Sequence, residues 1–405
     1  MISELEERRL DVADLRVGMF VCRLDRPWEQ TPFPLQGVEL HTEADIGAVR
    51  EHCRFVYIDA RRESANDDRH SVLTRTQLSA TRFKGTVQYP DRPFEEELPR
   101  ATAALETASG LIDQIFMDVA SGRPLSAEHV EQAVRPMVAS ILRSPDAFFW
   151  MEGLRRHDSY SYGHALGCSA LAAAFGRHMG FAEDTIISLA AGGMLMDVGR
   201  TQLSEAVLNY NGSLSTAEWE AVRTHVQHGM DILASSGISD PDVADIVRTH
   251  HERYDGSGYP HRLMGSQIPL AGRMLGIIDA YDAMISARPY RAALSRHQAL
   301  RQLYAARDGL FQSELVEQFQ VCLGVYPTGS LVELSSGEVA IVTAQNQVRR
   351  LRPRVTLLSD QDKQPLDDFR MLDLLVQADG LPGIDIVRSL PAGAYGFNAT
   401  ELFLP

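Results

Sequence analysis

The segment HHERYDGSGYP, residues 250–260, sets two adjacent histidines and a carboxylate directly before a loop of two glycines and a proline. Imidazoles and carboxylates are the side chains that hold divalent metal ions or move protons near neutral pH. Successive residues of a helix point about 100° apart, so His250 and His251 do not clasp one ion as an i, i+4 pair would. At a helix end they can instead present both rings to a shared cavity, each oriented by a neighbour such as Glu252 or Asp255. On composition alone, the same stretch reads equally as two surface histidines before a turn.

Four further residues change that balance. His164 and His225 fall in separate apolar helical patterns, Asp197 lies inside SLAAGGMLMDVGR and Asp279 inside RMLGIIDAYDAM. A carboxylate in an apolar helical stretch costs on the order of several kcal/mol unless it is paired or bound to a cation. Singly, each has a plain reading: a cap or buried ion pair for the aspartates, a satisfied core histidine for His225 with His228 one turn away. Gathered by helices, they point to one or two hard to borderline divalent ions such as iron or manganese. In the loop, Gly256 and Gly258 allow close backbone approach, Pro260 stiffens the exit, and Tyr259 can stack on a base or bond a phosphate. No Ser/His/Asp or Cys/His arrangement competes with a metal-assisted reading.

The elements that must position these groups form a multidomain chain. Residues 1–65 mix short strands, a Pro-rich loop and a helical pattern, which predicts a small α+β module. The polar, broken stretch 66–100 predicts a linker. Residues 101–325 carry long amphipathic patterns, predicting an all-α bundle that holds every candidate ligand. Residues 326–405 switch to alternation and turns, with a hairpin around SSG, predicting a small β-rich module. The acidic FEEEL reads as a solvated helix start, and RRLRPR at 349–354 as strand caps or partners for acidic residues of another domain. Trp28, Trp150 and Trp219 read as core or interdomain packing.

With 405 residues and 44% hydrophobic content the chain can build real cores, and its net charge of -15 argues against DNA or anionic membranes as partners. Any phosphate ligand needs a few specific cations. The four cysteines show no CxxC spacing and read as buried thiols of a reducing compartment. The charged N-terminus and the lack of a long apolar run predict a cytoplasmic protein without a membrane span.

HHERYDGSGYP resembles the HHExxDGxGYP signature of the HD-GYP family, a branch of the HD-domain metal-dependent phosphohydrolases. HDSYSYGH at 157–164, RTH at 223–225 and GSQIPLAGRMLGIIDAYDAMISARPYR at 265–291 are similar to that family as well, over roughly residues 145–320. GMFV, DRPW and TPF resemble the small domain often fused ahead of it. The resemblance implies hydrolysis of cyclic di-GMP to the linear dinucleotide or on to GMP. It implies metal ligands at His164, Asp197, His225, His250, His251 and Asp279, with Asp197 bridging two ions. It also implies substrate contacts at Tyr259, Arg288 and Arg291, and protein partners through the GYP loop or the N-terminal module. Arg200 stands where the family usually has lysine, and keeps the charge needed beside Asp197 for catalysis.

Met196-Asp197 stands where the family has its His-Asp pair. A thioether is a soft, neutral and poor ligand for iron or manganese. The position formed by His164, the absent histidine, Asp197 and Asp279 therefore loses an imidazole. Water can fill the vacancy, the ion can be lost, or a neighbour can substitute; His157, seven residues before His164, is the candidate, against a plain reading as a helix-start or surface histidine. The expectation is a cyclic di-GMP phosphodiesterase using one or two divalent ions. The alternative is a catalytically impaired receptor or protein-interaction module, and a third reading is a general hydrolase of other nucleotides.

Overall fold

The structure, a computed structural model, describes residues 7–25, 38–40, 42–59, 87–155, 160–204, 215–286, 293–346, 351–376 and 383–397. His157, Arg288, Arg291 and Trp28, singled out above, lie outside the described residues. The chain divides into two units, Met1–Phe83 and Lys84–Pro405.

In the first unit, strands β1 (Glu7–Asp11), β2 (Phe20–Leu24) and β3 (Val38–Glu39) precede helix α1 (Glu43–His52), and β4 (Phe55–Asp59) follows it. The strands pair antiparallel in the order β1-β4-β2-β3. Thr42 opens α1 with a capping box: Asp45 N–H donates to Thr42 Oγ1 and Thr42 N–H to Asp45 Oδ2. Ile46 and Val49 of α1 share a core with Val21, Val56 and Ile58, each such side chain contributing about 1.5–3 kcal/mol on burial.

The second unit is built on helices α2 (Phe94–Ala120), α3 (Ala127–Arg143), α4 (Pro145–Arg155), α5 (Tyr160–His178), α6 (Glu183–Leu195), α7 (Thr216–Arg223), α8 (His225–Ser236), α9 (Pro241–Thr249), α10 (Leu270–Ile285), α11 (Arg296–Ala305) and α12 (Ser313–Leu323). α6 and α10 are buried along most of their length, as helices apolar on all sides must be. They form the centre on which the site rests.

Residues 94–100 are not linker, as the polar pattern predicts, but the first turns of α2. Glu95, Glu96 and Glu97 complement the positive end of the helix. FEEEL is only partly solvated: Glu97 is fully buried, accepting hydrogen bonds from Ser140 and from Arg143 at 2.7 and 2.8 Å. That pairing spans α2 and α3, a long-range partner that local composition does not reveal.

The C-terminal strands β5 (Leu331–Leu334), β6 (Val339–Ala344), β7 (Arg354–Ser359), β8 (Pro365–Asp373) and β9 (Ile386–Ser389) make an antiparallel sheet in the order β8-β7-β6-β5-β9. The SSG turn joins β5 to β6, with Gly337 at φ +101°. Every residue of β6 is buried because both faces are covered. On one face Leu331, Val339, Ile341 and Leu358 pack on Trp150 of α4; on the other lie Val332, Val342, Val355 and Leu374. Asp146 of α4 accepts hydrogen bonds from the Thr328 hydroxyl and the Gln345 N–H. The sheet is thus fastened to the helices by an apolar core and a half-buried carboxylate. Arg352 and Arg354 of the basic stretch pair with Asp385 and Asp373, acids of the same module rather than of another domain. Trp150 is core as expected, whereas Trp219 is 48% exposed.

Candidate metal centre

Glycines at helix crossings bring the chemistry together. A Cβ on Gly199 would lie 2.0 Å from the His225 carbonyl oxygen and 2.4 Å from Gly229 N, so the 3-10 turn after Asp197 presses directly on the backbone of α8. A Cβ on Gly276 would meet the His250 carbonyl oxygen at 3.0 Å, which seats α10 against the end of α9. α9 itself starts at Asp240, whose side chain accepts the N–H groups of Asp242 and Val243. His164 projects from α5, His225 opens α8, His250 and His251 close α9, and Asp279 sits on α10.

These residues from five separate segments meet in one buried cluster. Asp197 Oδ1 lies 3.3 Å from His225 Nε2 and 3.7 Å from His250 Nε2, and its Oδ2 lies 3.6 Å from His164 Nε2. Asp279 reaches His164 Nε2 at 3.3 Å and His251 Nδ1 at 3.5 Å. Asp197, His225, His250 and His251 each offer a donor atom within 4.8 Å of the others. All are buried.

The hydrogen bonds on the far side of each ring assign its tautomer. His225 Nδ1 faces the Val222 carbonyl at 2.7 Å, and His250 Nδ1 faces the carbonyls of Ile246 and Val247 at 3.1 Å. Each Nδ1 therefore carries the proton. The two Nε2 lone pairs then confront one another at 3.5 Å and share the Asp197 carboxylate, an arrangement of acceptors with no proton among them. Such a cluster needs a cation. His251 Nε2 is moreover buried without a hydrogen-bond partner, and Asp197 Oδ1 has only the charge of Arg200 Nε, 3.0 Å away and poorly aligned, beside it. The imidazole and carboxylate donors fit iron or manganese.

Electrostatics agree with that fit at His225 and His251; at His164 burial favours the neutral ring, but the adjoining Asp279 and Asp282 carboxylates hold it well above the ordinary imidazole range. Burial, only partly offset by Asp197, lowers His225 to about 4, and burial holds His251 well below the ordinary imidazole range. Both rings are neutral at pH 7 and ready to donate lone pairs. Burial works against ionisation of Asp197, but the Arg200 guanidinium, foremost among its neighbours, holds the carboxyl well below its usual range. Arg200 Nε stands 3.0 Å from Asp197 Oδ1.

Two partners were not foreseen. Asp282, fully buried, accepts a hydrogen bond of 2.8 Å from His164 Nδ1 and so turns Nε2 toward Asp197 and Asp279. Its signal was available as a second carboxylate three residues after Asp279 on an apolar helix. Cys168, one turn after His164, places its Sγ 3.7 and 3.8 Å from the two ring nitrogens. Burial pushes its thiol up to about 12, so it is a neutral neighbour. Met196 is 1% exposed at the end of α6, beside Asp197 in the chain.

Glu252 and Asp255 do not orient the histidines as expected. Glu252 accepts the N–H groups of His261 and Leu263, and Asp255 accepts that of Ser257. Both carboxylates shape the loop instead, because the chain folds back over the end of α9. A Cβ on Gly258 would lie 2.3 Å from Arg253 N and 2.5 Å from the His251 carbonyl oxygen, so only glycine fits. This brings Tyr259 onto His251, ring centroids 4.7 Å apart, with the Arg223 guanidinium 5.1 Å from the Tyr259 ring centre.

A family model for the HD domain matches residues 136–315, and one for a domain of unknown function (DUF3391) matches residues 7–130. A cyclic di-GMP phosphodiesterase of Pseudomonas aeruginosa is 32% identical over 403 residues, covering 98% of this chain and 95% of that one. A 3'3'-cGAMP-specific phosphodiesterase of Vibrio cholerae is 36% identical over 154 residues, 38% of this chain and 29% of its own length. A cyclic di-GMP phosphodiesterase of Thermotoga maritima is 31% identical over 163 residues, 40% of this chain and 44% of its own. The chain belongs to the HD-GYP family, a branch of the HD-domain metal-dependent phosphohydrolases, and it is a hydrolase. No helix of the described residues is long and apolar enough to cross a membrane.

Proposed function

We propose that this protein hydrolyses cyclic di-GMP at a metal centre that His164, Asp197, His225, His250, His251 and Asp279 would hold. The observation that carries the reading is the meeting of the His225 and His250 lone pairs with Asp197 Oδ1 at 3.3–3.7 Å, their protons already committed elsewhere. The full-length similarity to a cyclic di-GMP phosphodiesterase supports the substrate. Bound iron or manganese supplies Lewis acidity toward a phosphodiester and lowers the pKa of water to near neutrality. Asp197 keeps its negative charge for the ions, and Arg200, paired with it, offsets charge that develops on phosphate. Tyr259 lies over His251, where it is placed to contact the substrate. Arg288 and Arg291 are proposed as further phosphate contacts, and the products as the linear dinucleotide and then GMP.

Met196 favours a second reading. With no imidazole at that position, His164, Asp197 and Asp279 alone would hold one of the ions, and the protein would then bind cyclic di-GMP without turning it over. A cytoplasmic location and partners through the GYP loop or the N-terminal module belong to either reading. The test is cyclic di-GMP turnover by protein purified without oxygen and loaded with Fe(II) or Mn(II), beside Asp197→Ala. Turnover by the parent and none by the variant supports the enzyme; tight binding without turnover in the parent supports the receptor.

A further inference from the structure

We propose that Trp219 and Glu220 of α7 form a wall of the site that reads a guanine base, a proposal that rests on the cyclic di-GMP reading and extends it to specificity. A cavity of about 480 Å³ lies between α7 and the loop after α9, lined by Trp219, Glu220, Arg223, His251, Tyr259 and Leu310 among others. One of its walls, His251, belongs to the metal cluster. Whatever fills the cavity therefore sits beside the group undergoing cleavage. Its volume falls in the range, about 300–1,000 Å³, of pockets that take small ligands. A second cavity, about 380 Å³, shares Glu220, Arg223 and Tyr259 with the first and reaches Arg262.

The chemistry of this lining suits a purine. Trp219, one turn before Arg223, is 48% exposed and lines the cavity, a large aromatic side chain with polar neighbours. Exposed aromatic faces beside a charged groove are what base stacking uses. Arg223 Nη1 donates to Glu220 Oε1 at 2.9 Å, while its buried Nε has no hydrogen-bond partner. An adjacent carboxylate and guanidinium match the edge of guanine. The carboxylate accepts from N1–H and the N2 amino group, and the guanidinium donates to O6 and N7. Adenine puts a lone pair at N1 and carries no N2 amino group, so its edge would set an acceptor against Glu220. Because the Glu220–Arg223 pair is neutral as a whole, it discriminates between bases without competing with Arg200 for phosphate.

The test uses the full chain loaded with Mn(II) and compares cyclic di-GMP, 3'3'-cyclic GMP-AMP and cyclic di-AMP. Trp219→Ala is expected to raise KM for cyclic di-GMP about tenfold, within the range for loss of one stacked base, with kcat and metal content unchanged. Trp219→Phe should recover most of that loss. Glu220→Gln is expected to reduce the preference for cyclic di-GMP over the adenine-containing substrates about tenfold. Both side chains are substantially exposed, so neither change endangers folding. Unchanged KM in the first variant together with unchanged preference in the last overturns the proposal. If the parent shows no turnover, calorimetric titration of cyclic di-GMP into the same variants decides it: weaker binding sustains the wall, and equal binding removes it. Absence of both turnover and binding in the parent refutes the substrate reading itself, and the guanine wall with it.

Discussion

Met196→His asks the metal centre directly what the missing imidazole is worth. The side chain is 1% exposed at the C-terminal end of α6, between Leu195 and Asp197 in the chain, and its N–H donates to the Gly192 carbonyl at 2.8 Å. Without metal, the variant gives up apolar burial of about 1.5–3 kcal/mol. It also places a buried ring nitrogen where no partner waits, which costs about 1–3 kcal/mol. The metal-free variant should therefore be less stable than the parent by roughly 2.5–6 kcal/mol. With metal in excess the order of events reverses in part. An added imidazole ligand should tighten binding at least about tenfold, the scale on which even indirect partners of a metal act. Each tenfold gain returns about 1.4 kcal/mol of stability once metal exceeds both dissociation constants. The assay is thermal or denaturant unfolding of both proteins in chelator and in saturating Mn(II), with metal content measured on the same samples. A deficit that shrinks by 1.4 kcal/mol or more, with added bound metal, is the expected result. An equal deficit in both conditions with unchanged metal content would refute the assignment of position 196 to the metal centre.

Asp282→Asn should cost roughly 10–100-fold in metal affinity, because His164 loses the carboxylate that fixes its tautomer; competition with a chromophoric chelator reads this, and unchanged affinity would reject the orienting role. Gly258→Ala forces a Cβ to within 2.5 Å of backbone atoms of Arg253, Glu252 and His251, so the loop must move. A displacement of about 1 Å beside the reacting group predicts a loss of about 100-fold in turnover with metal content retained; activity within twofold of the parent would show that the loop is not held as described. For pH, His225 titrates near 4 in the native protein and near 6.5 when unfolded. Between those values only the unfolded chain takes up the proton, so metal-free stability falls as pH drops through the window, by about 3 kcal/mol from this residue when complete. His251, also lowered by burial, acts in the same direction. Denaturant unfolding at pH 7 and 4.5 measures it, and a His225→Gln protein should show a shallower dependence.

Much of the candidate site is legible in the sequence because its parts break a rule of burial. Asp197 and Asp279 stand out as charges inside apolar helices, and His164, His225, His250 and His251 as imidazoles on the same set of helices; the structure brings these six within a few ångströms of one another. The bundle is legible for the same reason, since its amphipathic period runs through long segments. What sequence reading missed depends on distant partners. Glu97 reads as solvent-facing until Arg143 and Ser140 are brought to it from α3. Glu252 reads as a partner for histidine, yet the folding back of the loop gives it backbone N–H groups nine and eleven residues on. Asp282 was visible but was masked by Asp279, which explained the helix without it. Trp219 looks like core in composition and becomes a cavity wall only when α7 is set against the loop.

The most direct test of the account is cyclic di-GMP turnover and metal content measured together on protein purified without oxygen, with Asp197→Ala as its partner sample. The account predicts bound iron or manganese and turnover of cyclic di-GMP in the parent, and loss of both in the variant. A parent that turns over cyclic di-GMP without bound metal, or a variant that keeps metal and activity alike, would contradict it.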